Sequence, residues 1–265
     1  MSLVSLNGVT LGYDDEGSGD ALVLVHGHPF DRSMWRPQVG TFSREGWRVI
    51  APDLRGYGES TVVSGTTTLD VFVRDIAELL DGLGVDRFVL GGLSMGGQIV
   101  MEFQRLSPER IRGLVLADTF AAAETRDGRA GRYAMAERVL AEGMGPYADE
   151  VLPKMVAPHN IAAMPEVAAH VLAMMRGTSP EGAAAALRGR AERPDYVETL
   201  GSVSVPTLVV VGRDDEFTPV RDARLIQERV PGAELAIIEG AAHMPNLERP
   251  AEFNAVLRTF LENLD

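Results

Sequence analysis

The 265-residue chain has no cysteine, which excludes a disulfide framework and a thiol nucleophile. Lys154 is its only lysine, so lysine-based chemistry has a single candidate, and the other basic residues are arginine. Histidine is scarce, at positions 26, 28, 159, 170 and 243, and no His-Glu-x-x-His or comparable ligand spacing occurs. A metal site is therefore not expected. Long apolar runs are missing too: Ala21–Val25 and Leu208–Val211 are far too short to span a bilayer. Residues 1–8 lack the basic start and apolar stretch of a signal peptide, so a cytoplasmic protein with no membrane partner is expected. Cations are outnumbered, giving a formal net charge of −13, which argues against nucleic acid as a partner. With 45% hydrophobic and 24% charged residues, the composition is that of an ordinary globule with ample core.

Short apolar runs alternate with helical patterns through the first 118 residues. Val9–Tyr13, Ala21–Val25, Arg48–Ala51, Phe88–Leu90 and Gly113–Ala117 read as strands. Between them, Leu69, Phe72, Val73, Ile76, Leu79, Leu80 and Leu83 mark one face of a helix over Thr68–Leu83. The alternation resumes with strands at Thr207–Val211 and Glu234–Ile238 and helices at Arg221–Val230 and Ala251–Leu264. Near-continuous apolar strands separated by helices predict an α/β fold with a mostly parallel, doubly wound sheet. Residues 120–202 break this pattern. They hold no clear strand, are rich in Ala, Met and Arg, and are punctuated at Gly143, Pro146, Pro158, Pro165, Pro180 and Pro194. They read as a helical insertion, with 1–119 and 203–265 forming the core. Its Met135, Met144, Met155, Met164, Met174 and Met175 would suit an adaptable pocket, but packing of helices onto the core accounts for them more simply.

The most telling stretch is Phe88-Val-Leu-Gly-Gly-Leu-Ser94-Met-Gly-Gly-Gln98. An apolar strand runs into Gly92-x-Ser94-x-Gly96, and a helical pattern over Gln98–Leu106 follows. With 28 glycines in the chain the pentapeptide alone is a modest signal, but its strand-to-helix context is the right one. A hydroxyl on that turn stands exposed for attack, with a helix N-terminus behind it. Serine needs a base, itself oriented by a third group. His243 follows the strand ending at Ile238, where parallel sheets place functional groups. The plain alternative, a solvated loop histidine, does not explain that position. Asp214, Asp215 and Glu216 follow another strand end, two of them fitting a solvated turn, and Asp118 is a rival acid. Residue chemistry alone does not choose between Asp214 and Asp215.

Developing negative charge on a carbonyl oxygen needs two N–H donors. Met95 follows the serine and supplies one. Val25-His-Gly-His-Pro-Phe30 follows a strand, and the Phe30 N–H is the expected second donor. His26 is expected to brace this turn, and His28 to lie near substrate.

Together these segments resemble the α/β-hydrolase family along the whole chain. The resemblance rests on His26-Gly27, Asp53-Leu-Arg-Gly-Tyr-Gly-Glu-Ser60, Gly92-Leu-Ser-Met-Gly96, Gly212-Arg-Asp-Asp215 before Pro219, and Gly240-Ala-Ala-His243-Met-Pro-Asn-Leu-Glu248-Arg-Pro250. Similar sequences carry the acid four residues before the proline, which selects Asp215. Ala242 stands where glycine often precedes the histidine. The motifs, with Asp31-Arg-Ser-Met-Trp35, look most like small esterases and enol-lactonases. The resemblance implies a helical cap over 120–202 and a cofactor-free Ser94–His243–Asp215 hydrolase acting on a small-molecule carboxylic ester or lactone.

Competing readings keep the fold. Dehalogenases and epoxide hydrolases place a carboxylate at the elbow, and Ser94 argues against both. A perhydrolase of the cofactor-free haloperoxidase type, or a carbon–carbon bond hydrolase, would use the same three residues. A lactone bearing a second carboxylate would want a cation among Arg129, Arg132, Arg138, Arg176, Arg188, Arg190 and Arg193. A non-enzymatic small-molecule receptor would be marked by a missing member of the trio, and none is missing.

Overall fold

The computed structural model describes residues 2–6 and 8–264, and its strands form one eight-stranded sheet. The strands are β1 (Ser2–Leu6), β2 (Val9–Gly17), β3 (Asp20–Val25), β4 (Trp47–Pro52), β5 (Phe88–Leu93), β6 (Ile111–Ala117), β7 (Thr207–Gly212) and β8 (Glu234–Ile238). Their order is β1-β2-β4-β3-β5-β6-β7-β8. Only β1–β2 and β2–β4 pair antiparallel; every other pair is parallel.

Alternation within the strands makes two cores, one on each face. Leu22, Leu24, Val49, Val89, Val115, Leu208 and Val210 pack against helices α1 (Arg36–Phe42) and α11 (Pro250–Glu262). Val23, Val25, Ile50, Leu90, Leu114, Leu116, Val209 and Val211 share the opposite core with α2 (Leu69–Gly82), α3 (Met95–Leu106) and α9 (Val220–Arg229). The sheet is thus doubly wound. Each fully buried Leu, Val or Phe contributes about 1.5–3 kcal/mol against the chain entropy lost on folding.

Two elements go beyond the sequence reading. β1 is a mostly exposed edge strand with no apolar run, and α1 is only seven residues long, too short to show a period. β2 extends past Tyr13 because Asp14–Gly17 pair with β4, where Asp15 holds Arg48 at 2.8 Å. Helix α3 starts at Met95 rather than Gln98, so Gly96 and Gly97 lie inside it despite their poor helix propensity. Contact imposes them: a Cβ on Gly96 would sit 2.2 Å from the Val25 carbonyl oxygen.

Between β6 and β7 the chain builds α4 (Arg126–Glu142), α5 (Met144–Met155), α6 (Pro158–Ala163), α7 (Pro165–Gly177) and α8 (Pro180–Ala191). Pro158, Pro165 and Pro180 each open a helix, where the missing N–H costs nothing. Met144, Met174 and Met175 are buried in the packing, as expected of most of these methionines, whereas Met155 lines a cavity. The ends of the segment meet where Tyr196 N–H donates to the Ala121 carbonyl at 2.9 Å. Its α8 lies directly on the loop after β4. A Cβ on Gly182 would fall 2.1 Å from the Gly56 oxygen, and one on Gly189 1.7 Å from the Thr67 oxygen. No helix among the described residues is long and apolar enough to cross a membrane. The short helix α10 (Pro245–Glu248) completes the elements.

Candidate active site

Ser94 follows β5 with φ 58° and ψ −115°, a positive-φ strain that a non-glycine residue holds only when its surroundings enforce it. They do so from every side. The Ser94 N–H donates to the Ala117 carbonyl at 2.9 Å, and its own carbonyl accepts from the Thr119 hydroxyl at 2.7 Å. A Cβ on Gly92 would meet the Gly96 backbone at 2.4 Å, so the turn closes only with glycine there. Ser94 opens onto a cavity of about 190 Å³ whose wall also includes His243, His28, Tyr147, Arg132 and Arg190.

His243 hangs from the loop after β8 and is buried. Its Nδ1 lies 2.8 Å from Asp215 Oδ2, which leaves Nε2 for the cavity side. Asp215 follows β7 and is buried, whereas its neighbours Asp214 and Glu216 are exposed. Of the three adjacent acids, Asp215 is the one that is buried and bonded to His243. Burial alone would raise the Asp215 carboxyl, but the attraction of His243 and hydrogen bonds from His243 and Thr218 outweigh it, holding it at about 2.

Asp118 sits at the end of β6, also with positive φ, and accepts the Gly212 N–H at 2.8 Å. One ligand-type atom from each of Asp118, Asp215 and His243 lies within 4.8 Å of the others. Such a trio invites comparison with a metal site, but the donor set does not fit one. The two oxygens of Asp215 already accept from Phe217 N, Thr218 N, the Thr218 hydroxyl and His243, filling a carboxylate's acceptor sites. Burial, followed by the charge of Asp215, pushes the Asp118 carboxyl well above its usual range.

The turn after β3 behaves partly as expected. His26 braces it: Nε2 accepts the Leu54 N–H at 2.9 Å, so Nδ1 carries the proton given to the Gly27 carbonyl at 2.8 Å. Burial lowers its pKa, consistent with that neutral role. Phe30 departs from expectation. Its N–H is taken by the Gly27 carbonyl at 3.0 Å, closing the turn, and its side chain is fully buried in the core. His28 borders the cavity instead, and no described residue accepts from its N–H. The sequence reading missed this because it counted donors without knowing which one closed the turn. Met95 opens α3 with an N–H that has no intrahelical acceptor.

Of the insertion's arginines, Arg129, Arg138, Arg176 and Arg188 pair with surface carboxylates. Arg132 and Arg190 line the cavity, and Arg193 is buried against Glu124. Glu248 is a further structural residue whose role sequence alone did not reveal. Buried beside the His243 loop, it accepts from Ala242 N at 2.8 Å, Ala157 N at 2.8 Å and Asn160 Nδ2 at 2.7 Å, tying that loop to α6. Its place in the sequence, five residues after His243, was the one available signal.

Comparison with known proteins agrees with this architecture. The family model described as alpha/beta hydrolase fold matches residues 20–250. The chain is 31% identical to 3-oxoadipate enol-lactonase 2 of Acinetobacter baylyi over 97% of its length and 94% of that protein's. A thermophilic esterase from Thermogutta terrifontis, solved with malate bound, superposes with a TM-score of 0.96 at 37% identity, covering 99% of this chain and 98% of that one. The enol-lactonase from Burkholderia xenovorans superposes with a TM-score of 0.92 at 28% identity, covering 99% and 100%. The chain belongs to the α/β-hydrolase family, and it is a hydrolase.

Proposed function

We propose that the protein hydrolyses a carboxylic ester or lactone, with Ser94 as nucleophile. One observation carries this reading: a strained serine and an aspartate-bound histidine open onto the same cavity. His243 Nε2 takes the Ser94 proton as the hydroxyl attacks the carbonyl carbon. Asp215 fixes the imidazole tautomer and stabilises the imidazolium, and its carboxyl at about 2 keeps it ionised throughout. The Met95 and His28 N–H groups receive the oxyanion; His28 takes the place expected of Phe30. His243 then protonates the leaving alkoxide and activates water against the acyl-enzyme. Water balances the reaction, so no cofactor is required. Residues 120–202 serve as a cap over the core of 1–119 and 203–265, and the small cavity suits a small-molecule substrate. The enol-lactonase and esterase names among the relatives support an ester or lactone as substrate.

Hydrolysis of p-nitrophenyl butyrate by the wild type and Ser94→Ala tests the reading. A loss of about 10³-fold or more in kcat supports it. Equal activity in both proteins sinks it.

A further inference from the structure

The wall opposite the chemistry carries a charge that the hydrolytic steps do not use. Arg190, on α8, is only 6% exposed yet lines the cavity that holds Ser94 and His243. Its Nε donates to the neutral Gln98 Oε1 at 3.0 Å. No carboxylate among the described residues lies within ion-pair distance of it, and no described residue accepts from its Nη groups. The neighbouring cations do not relieve this. Glu124 Oε1 serves both Arg132 and Arg193, so one carboxylate is shared by two guanidiniums and a third has none.

A buried guanidinium without a counter-charge is costly, and an anionic ligand in the cavity would supply the charge that is missing. Burial, with Arg132 and Arg193 nearby, pushes the Arg190 pKa well down, which shows the same deficit. Apart from these two arginines, the neighbouring polar groups are uncharged. Tyr57 and Tyr147 are buried, and His28, whose Nδ1 is bonded to the Tyr57 hydroxyl at 2.8 Å, leaves a buried Nε2 without a partner. With Nε engaged, Nη1 and Nη2 present a planar two-donor edge, which matches the two oxygens of a carboxylate.

We infer that the substrate carries a free carboxylate, seated on Arg190 with Arg132 beside it, while its scissile carbonyl lies at Ser94. The substrate class is a short monoester of a dicarboxylic acid, or a lactone bearing a carboxylate. This rests on the hydrolase reading above and adds which end of the substrate the insertion holds.

Monoethyl succinate and ethyl isocaproate test it, because the second has the first's shape without the charge. The wild type is expected to favour the succinate ester by about 10- to 100-fold in kcat/KM. Arg190→Gln should remove that preference, mostly through KM, and Arg190→Lys should restore part of it. Calorimetric binding of succinate to Ser94→Ala needs no turnover, and Arg190→Gln in that background should abolish it. Wild type that cleaves both esters equally overturns the carboxylate subsite and leaves ester hydrolysis standing. A protein that cleaves neither ester, yet binds succinate through Arg190, keeps the subsite and removes the proposed chemistry. Both wild-type measurements stand if Arg190→Gln fails to fold.

Discussion

The sheet edge and the helical insertion face one cavity, but they hold their groups by different means. Ser94 and Asp215 stand on loops at strand ends fixed by backbone hydrogen bonds, and His243 on a third such loop held by the carboxylates of Asp215 and Glu248. The insertion is seated by small residues and shared carboxylates: Gly182 and Gly189 against the β4 loop, Glu248 beneath α6, and Glu124 between two arginines. Backbone geometry gives precision to the reacting atoms, whereas side-chain contacts give a wall that can differ without disturbing them. Substitutions at the edge should therefore act on kcat, and those in the insertion on KM and on cohesion.

The largest expected effect is at the edge. Asp215→Asn keeps the shape but permits the wrong imidazole tautomer, and kcat should fall by about 10⁴-fold with little change in KM. A fall confined to KM would break the proposed division. Gly182→Val probes the insertion, because its Cβ would collide with the Gly56 carbonyl. Overpacking of this kind costs about 1–3 kcal/mol, read as a lower midpoint in urea and faster proteolysis between β6 and β7. An unchanged midpoint would mean that α8 is not seated by this contact. Glu248→Gln turns one acceptor oxygen into a donor facing other donors. We expect a loss of about 1–3 kcal/mol by the same urea measurement, with a rise in KM as the α6 anchor loosens.

The smallest effect separates the two neighbouring acids. Asp215 is held ionised, so its contribution is present above the ordinary aspartate range and is lost as pH falls towards about 2. Asp118 runs the other way. Its raised carboxyl keeps a proton in the folded state that the unfolded chain has released, so wild-type stability is eroded as pH rises above the ordinary aspartate range. Asp118→Asn lacks this term. Its melting temperature relative to wild type should rise from pH 4 to pH 7, and a gap independent of pH would count against a neutral Asp118.

The strands that bury both faces were legible because period and apolarity coincide over β3, β5 and β7, and the elbow was legible because glycine spacing is local. β1 and α1 were not, since neither carries enough repeats to show a period. Phe30 was misread for a related reason: which N–H closes a turn depends on its three-dimensional path.

By itself, the sequence limited the available chemistry: without cysteine there is no thiol nucleophile, and Lys154 is the only lysine. It also determined the alternation of strand and helix, since periodic burial is written in residue order. Tertiary structure decided which of three adjacent acids meets His243, through burial of Asp215 alone among them. It decided too that, of the two arginines buried among the described residues, Arg193 meets a carboxylate and Arg190 does not. Pairing and desolvation are properties of neighbours brought together from distant parts of the chain, and no local pattern records them.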